Sequence, residues 1–102
     1  MSRLLTDDEI TRQLADLPDW SRDGDTLRAS YEAPDFLAGI RLVQEVALLA
    51  EAMDHHPDMD VRWRTISFAL STHSEGGLTQ LDVELAHEIA QEATRVRATP
   101  TG

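Results

Sequence analysis

Apolar positions recur along this chain in two periods, and each change of period marks a boundary between elements. From Ile10 they fall at i, i+4 and i+7 (Ile10, Leu14, Leu17), the spacing of one helix face. Thr6-x-x-Glu9 just ahead reads as a capping box with Leu5 and Ile10 as its hydrophobic staple, and Pro18 closes the segment. Leu27, Ala29, Tyr31 and Ala33 then alternate with polar residues, as on a strand with one buried face. Trp20-Ser21-Arg22 precedes them across Asp23-Gly24-Asp25, where Gly24 can take a positive φ, so the spacing predicts an antiparallel hairpin.

Pro34-Asp35 opens a second, longer helix with Asp35 as N-cap and Phe36, Ile40, Val43, Ala47 and Ala50 as its expected stripe. Pro57 disfavours helical geometry at the residue before it, so this helix stops near His55-His56. Between Asp58 and Thr72 the alternation changes phase: Val61 and Trp63 are odd, Ile66, Phe68 and Leu70 even. A regular strand cannot do that, which requires a bulge or a tight turn near Trp63-Arg64-Thr65 and leaves one bent strand or two. Thr79-x-x-Asp82 is a second capping box, with Leu78 and Val83 as staple and Leu81, Leu85, Ile89, Ala93 and Val96 as the stripe of a last helix. The order describes an α+β two-layer sandwich, an antiparallel sheet covered on one face by helices.

Length, at 102 residues without an internal repeat, implies one domain, taken here as residues 1–97 with 98–102 as a frayed tail. The net charge of −10 and the absence of lysine argue against nucleic acid as a partner, because phosphate contacts require clustered basic side chains. No cysteine is present, which excludes disulfides, thiolate catalysis and cysteine-based metal sites. No stretch approaches the roughly 20 apolar residues of a membrane span, and the acidic start Thr6-Asp7-Asp8 does not suit a signal peptide, so a cytoplasmic protein is expected.

Three of the four histidines gather with two carboxylates in the string Glu51-x3-His55-His56-Pro57-x5-Trp63-x9-His73-x8-Asp82. Imidazole alone gives and takes protons near neutrality in its unperturbed state, so folding these residues together would create an acid–base site. The string resembles the signature of the pterin-4a-carbinolamine dehydratase family at every fixed position. The resemblance extends upstream through Leu17-x2-Trp20 and Phe36, and downstream through Gly76-Gly77-Leu78-Thr79 and Asp82-x2-Leu85-Ala86. Two positions depart from it: Trp63 stands where the family more often has tyrosine, and Arg64 where many relatives carry asparagine.

The resemblance implies the order α-β-β-α-β-β-α, a homodimer or homotetramer, and a dehydratase that acts on 4a-hydroxytetrahydropterin without a cofactor. His55 and His73 are then expected as the acid–base pair, His56 as a residue that orients the pterin, and Asp82 as the support of an imidazole. Trp20, Glu51, Pro57 and Trp63 are the expected substrate-binding positions. Glu51, at i, i+4 to His55, could likewise hold that imidazole. Plainer readings stand beside these: His55-His56 as a helix C-terminal pair, His73 as a surface or half-buried histidine, Asp82 as a capping-box acid, Glu51 as a solvated helix residue, and the two tryptophans as core aromatics. Zinc is the chemical rival, but adjacent histidines rarely converge on one ion and no H-x-H or H-E-x-x-H spacing occurs, so no metal is expected. His87 matches no motif position and serves as a control. A catalytically idle interaction module of the same fold is the alternative function.

Overall fold

The computed structural model describes residues 3–101, so that Gly102 of the expected tail lies outside them. Helix α1 spans Asp7–Leu14 behind the Thr6/Glu9 capping box. It ends earlier than the stripe suggested: Leu17 lies three residues beyond it, yet is buried. Strands β1 (Ser21–Asp23) and β2 (Thr26–Glu32) form the hairpin, Asp23 pairing with Thr26 around Gly24 at φ 61°. Leu27, Ala29, Tyr31 and Ala33 all face the core.

Helix α2 (Phe36–Met53) starts as expected, with the Asp35 carboxylate accepting from Ala38 N–H at 2.8 Å. Its buried face is different. Ala38, Gly39, Leu42, Val46 and Ala50 face the core, whereas Phe36 and Ile40 of the expected stripe are exposed. The helix is apolar around most of its circumference, so periodicity could not choose, and closeness of approach did. A Cβ on Gly39 would stand 3.2 Å from Ile66 Cδ1, so the small-residue face is the one that can lie against the sheet.

Strands β3 (Asp58–Arg62) and β4 (Thr65–Leu70) form a second hairpin, as the resemblance implied. Arg62 pairs with Thr65 across the two-residue turn Trp63-Arg64, and this turn accounts for the phase change. In that register odd Val61 pairs with even Ile66 and odd Met59 with even Phe68, so opposite parities share one face. Trp63 takes φ 53°, and the Arg64 guanidinium lies 5.0 Å over its ring. A single 3-10 turn, His73–Glu75, leads to helix α3 (Gln80–Arg95) with the Thr79/Asp82 capping box in place.

The sheet is antiparallel in the order β1-β2-β4-β3. A further strand, β5 (Thr99–Pro100), pairs with β2 at Tyr31 and Glu32, and Ala98 is buried, so most of the segment expected to fray is tied to the sheet. The core between sheet and helices holds Leu27, Leu42, Ile66, Leu70, Leu85 and Ile89, each completely or almost completely buried and each contributing about 1.5–3 kcal/mol by leaving water. Phe68 sits among aromatics, its centroid 6.5 Å from Trp20 and 6.3 Å from Tyr31, the latter edge-on. The Tyr31 hydroxyl donates to Asp19 Oδ2 at 3.0 Å. Among the described residues no helix is long and apolar enough to cross a membrane.

Candidate active site

Three chain ends meet at one edge of the sandwich: the C-terminus of α2, the residues after β4, and the N-terminus of α3. Asp54 ends α2 in the left-handed conformation at φ 51°, and His55 N–H reaches back to Ala50 O at 3.0 Å. This is the Schellman arrangement, with Asp in the place most often taken by Gly, and Pro57 follows at a usual distance. The backbone of His55 is therefore fixed by the way the helix stops, and its ring is turned inward, 8 % exposed.

There the ring meets α3. His55 Nε2 lies 2.6 Å from Asp82 Oδ1, and Asp82 is completely buried. The second carboxylate oxygen of Asp82 accepts from Thr79 N–H at 2.9 Å, the capping bond, and from Thr72 Oγ1–H at 2.7 Å. Thr72 Oγ1 in turn lies 2.8 Å from Thr79 Oγ1. Asp82 thus caps α3 and is also the hydrogen-bond partner of the His55 ring. With Asp82 as acceptor, His55 donates through Nε2–H. Its Nδ1 makes no hydrogen bond to the described residues and is not among their buried unpartnered atoms, so it is the ring nitrogen open to solvent.

The other expected residues divide. His73 begins the 3-10 turn directly after Thr72 and is exposed. His56 is exposed as well, with Nε2 2.5 Å from Glu51 Oε2. Glu51 therefore serves His56, not His55 as its i, i+4 spacing suggested, because the ring of His55 is already turned toward Asp82. Pro57 is half-buried between His56 and β3.

The two tryptophans lie elsewhere. Trp63 occupies the turn at the far end of the β3–β4 hairpin, separated from Thr72 by all six residues of β4, about 20 Å of strand. Trp20 packs on Phe68 and lines a small cleft with His87, Ala90, Gln91 and Thr94, roughly 7 to 18 Å along α3 from Asp82. Within one chain, neither tryptophan forms a wall beside His55. His87, the control, is half-buried in that same cleft. Among the described residues no three His, Asp or Glu side chains converge in a way that would hold a metal ion.

Thr72 is the site residue that sequence reading missed. It lies two residues past the end of β4, yet it continues the inward parity of Ile66, Phe68 and Leu70. A hydroxyl at an inward position needs a buried partner, and that was the available signal.

A family model described as Pterin 4 alpha carbinolamine dehydratase matches residues 3–92. The chain belongs to this family. It is 53% identical over 92 residues to a protein of Mycobacteroides abscessus provisionally named a pterin-4-alpha-carbinolamine dehydratase, covering 90% of this chain and 98% of the other. A Nocardia farcinica protein with the same provisional name is 51% identical over 92 residues, with 90% and 97% covered. Among solved structures, a transcriptional coactivator/pterin dehydratase from Brucella melitensis superposes with a TM-score of 0.85 at 31% identity, covering 87% of this chain and 97% of that one. A pterin dehydratase-like protein described as a RuBisCO assembly factor in the alpha-carboxysome shares the fold at a TM-score of 0.60 and 13% identity, over 72% of this chain and 86% of that one. His55, at the end of α2, and Thr72, after β4, both bond to Asp82 at the start of α3, with His73 next to Thr72 in sequence and Trp63 at the opposite end of its hairpin.

Proposed function

We propose that this family member dehydrates 4a-hydroxytetrahydropterin to the quinonoid dihydropterin and water, acting in the recycling of a tetrahydropterin. The observation that carries the reading is the buried His55–Asp82 pair, which presents a single imidazole nitrogen outward. The elimination removes the proton on ring nitrogen N5, moves that electron pair into a C4a–N5 double bond, and expels the 4a-hydroxyl as water after it receives a proton. Two imidazoles in opposite protonation states suffice for this, each such transfer contributing roughly 10²- to 10⁴-fold. With Nε2–H directed to Asp82, Nδ1 of His55 carries the lone pair suited to take the N5 proton. His73 then delivers the proton to the leaving hydroxyl, and solvent restores both rings. His56, braced by Glu51, orients the pterin. None of these steps calls on a metal or cofactor, and a cytoplasmic setting suits a small diffusible substrate.

Assembly as a homodimer or homotetramer forms part of the proposal. Phe36, Leu37, Ile40 and Leu48 on α2 and Met59 and Val61 on β3 are large apolar side chains left exposed. An apolar surface of this extent suits a second copy of the chain. The alternative, an idle interaction module, would have no use for an imidazole held by a fully buried carboxylate. Turnover of synthetic 4a-hydroxytetrahydropterin above its spontaneous dehydration tests the proposal: no acceleration at micromolar enzyme would leave the idle module as the better reading.

A further inference from the structure

We infer that Thr72 is a positioning residue holding His55 and His73 in one fixed relation, an inference that rests on the acid–base reading of those two histidines. Its side chain and its backbone each hold one of them.

The hydroxyl stands in a directed chain. Thr72 Oγ1 donates its one proton to Asp82 Oδ2 at 2.7 Å, so toward Thr79 Oγ1, 2.8 Å away, it can only accept. Protons therefore point from Thr79 to Thr72 to Asp82. Thr79 N–H donates to the same carboxylate oxygen at 2.9 Å. With Oδ2 taking two donors, Oδ1 is left for His55 Nε2 at 2.6 Å, and the carboxylate cannot turn about its own axis without breaking a buried bond. Water has little access to substitute for a lost partner, since Thr72, Thr79, Asp82 and His55 are 5, 0, 0 and 8 % exposed.

The backbone of Thr72 holds the other histidine. Its N–H donates to Gly77 O at 2.9 Å, and its carbonyl accepts from Glu75 N–H and Gly76 N–H, both at 3.0 Å. The turn that begins at His73 is thus folded back onto Thr72 from both sides, with Gly76 in the left-handed region at φ 75° closing it. A displacement of Thr72 moves the carboxylate behind one imidazole and the backbone under the other. A merely structural hydroxyl would act otherwise: its loss would lower stability and leave the tautomer of His55 and the kinetics of the folded enzyme unchanged.

The test compares Thr72→Val, which keeps the shape and removes the hydroxyl, with Thr72→Ser, which keeps the hydroxyl. Thr72→Ala joins them in case the valine variant does not fold. Steady-state turnover of synthetic 4a-hydroxytetrahydropterin should show kcat lowered about 10- to 100-fold in the hydroxyl-free variant, with KM within about threefold of wild type, and recovery to within about threefold in the serine variant. Nitrogen-15 NMR of histidine-labelled protein should show His55 as the single Nε2–H tautomer in the wild type and the serine variant, and as a mixture when the hydroxyl is gone. A folded hydroxyl-free variant with wild-type kcat and an unchanged His55 tautomer overturns the inference, as does a serine variant as impaired as the valine one. Should the wild-type protein not turn over the pterin at all, the acid–base reading fails, and the NMR comparison still decides whether Thr72 sets the tautomer of His55.

Discussion

His55 and Asp82 are 27 residues apart in sequence and 2.6 Å apart in space, joining the end of one helix to the start of another inside the protein. The carboxylate has no exposed surface, so its replacement disturbs more than a helix cap.

For Asp82→Asn, the remaining carbonyl oxygen can still accept from Thr79 N–H and Thr72, but the amide then turns N–H groups toward His55 Nε2–H. Stability is expected to fall by about 1–3 kcal/mol, the range for leaving a buried hydrogen-bonding group unpaired, and kcat to fall at least about tenfold. Urea unfolding and steady-state rates on one preparation check both. Lost stability with unchanged kcat/KM would make Asp82 a cap and nothing more.

His55→Ala and His73→Ala are each expected to lower kcat by roughly 10²- to 10⁴-fold, with the double variant losing less than the product of the singles because the two act as a unit. His87→Ala should leave kcat unchanged, since its cleft beside Trp20 lies away from Asp82. A loss at His87 equal to that at His73 would mean the site has been assigned to the wrong end of α3.

The Glu51–His56 pair is exposed on both sides. Glu51→Gln should therefore change stability by less than about 0.5 kcal/mol, the worth of an exposed ion pair, and act on KM more than on kcat if its task is to steady His56 against the pterin. Thermal melts and Michaelis curves separate the two effects.

Burial, and after it the neighbouring Asp19 carboxylate, hold the Tyr31 phenol well above its ordinary range, with the Trp20 indole acting weakly in the opposite direction. The folded state therefore keeps this proton longer than the unfolded chain does. Its contribution to stability is complete below the unfolded phenol pKa of about 10 and is lost as pH rises above it toward the folded value. Urea midpoints measured from pH 8 to 11 should decline more steeply in wild type than in Tyr31→Phe; parallel curves would show that Tyr31 is not the group responsible.

Leu37 and Leu48 are the most exposed apolar side chains of α2. Replacing both with Glu should shift the species seen by light scattering toward monomer while circular dichroism stays unchanged. An unaltered oligomer would place the contact on another face.

What the sequence made legible was local. Both capping boxes, the Asp35 cap and the Gly24 hairpin each depend on residues within a few positions of one another, and all formed as read. The burial face of α2 was misread because Phe36 and Ile40 are as apolar as Leu42 and Val46, and only the clearance between Gly39 and Ile66 decides which face approaches the sheet. In the site, the family resemblance implied an imidazole beside Asp82, where spacing alone gave only a helix cap, whereas the exchange of partners that gives Glu51 to His56 depends on how Asp54 turns the chain. Thr72 stayed hidden because a strand-end threonine looks the same from sequence whether its hydroxyl meets water or a buried carboxylate.

The short strand at the C-terminus has a bearing on how the protein keeps to itself. Strand β1 shields β2 from Thr26 to Arg28, and Thr99–Pro100 shields it at Tyr31 and Glu32. Pro100 has no N–H to offer a further strand, so this margin of the sheet is blunted against templating by another molecule. A chain cut after Arg97 would retain the His55–Asp82 pair and its chemistry, but it would carry an open sheet margin into every encounter with its neighbours. Its expected failure is slow precipitation by strand addition, with activity per folded molecule intact.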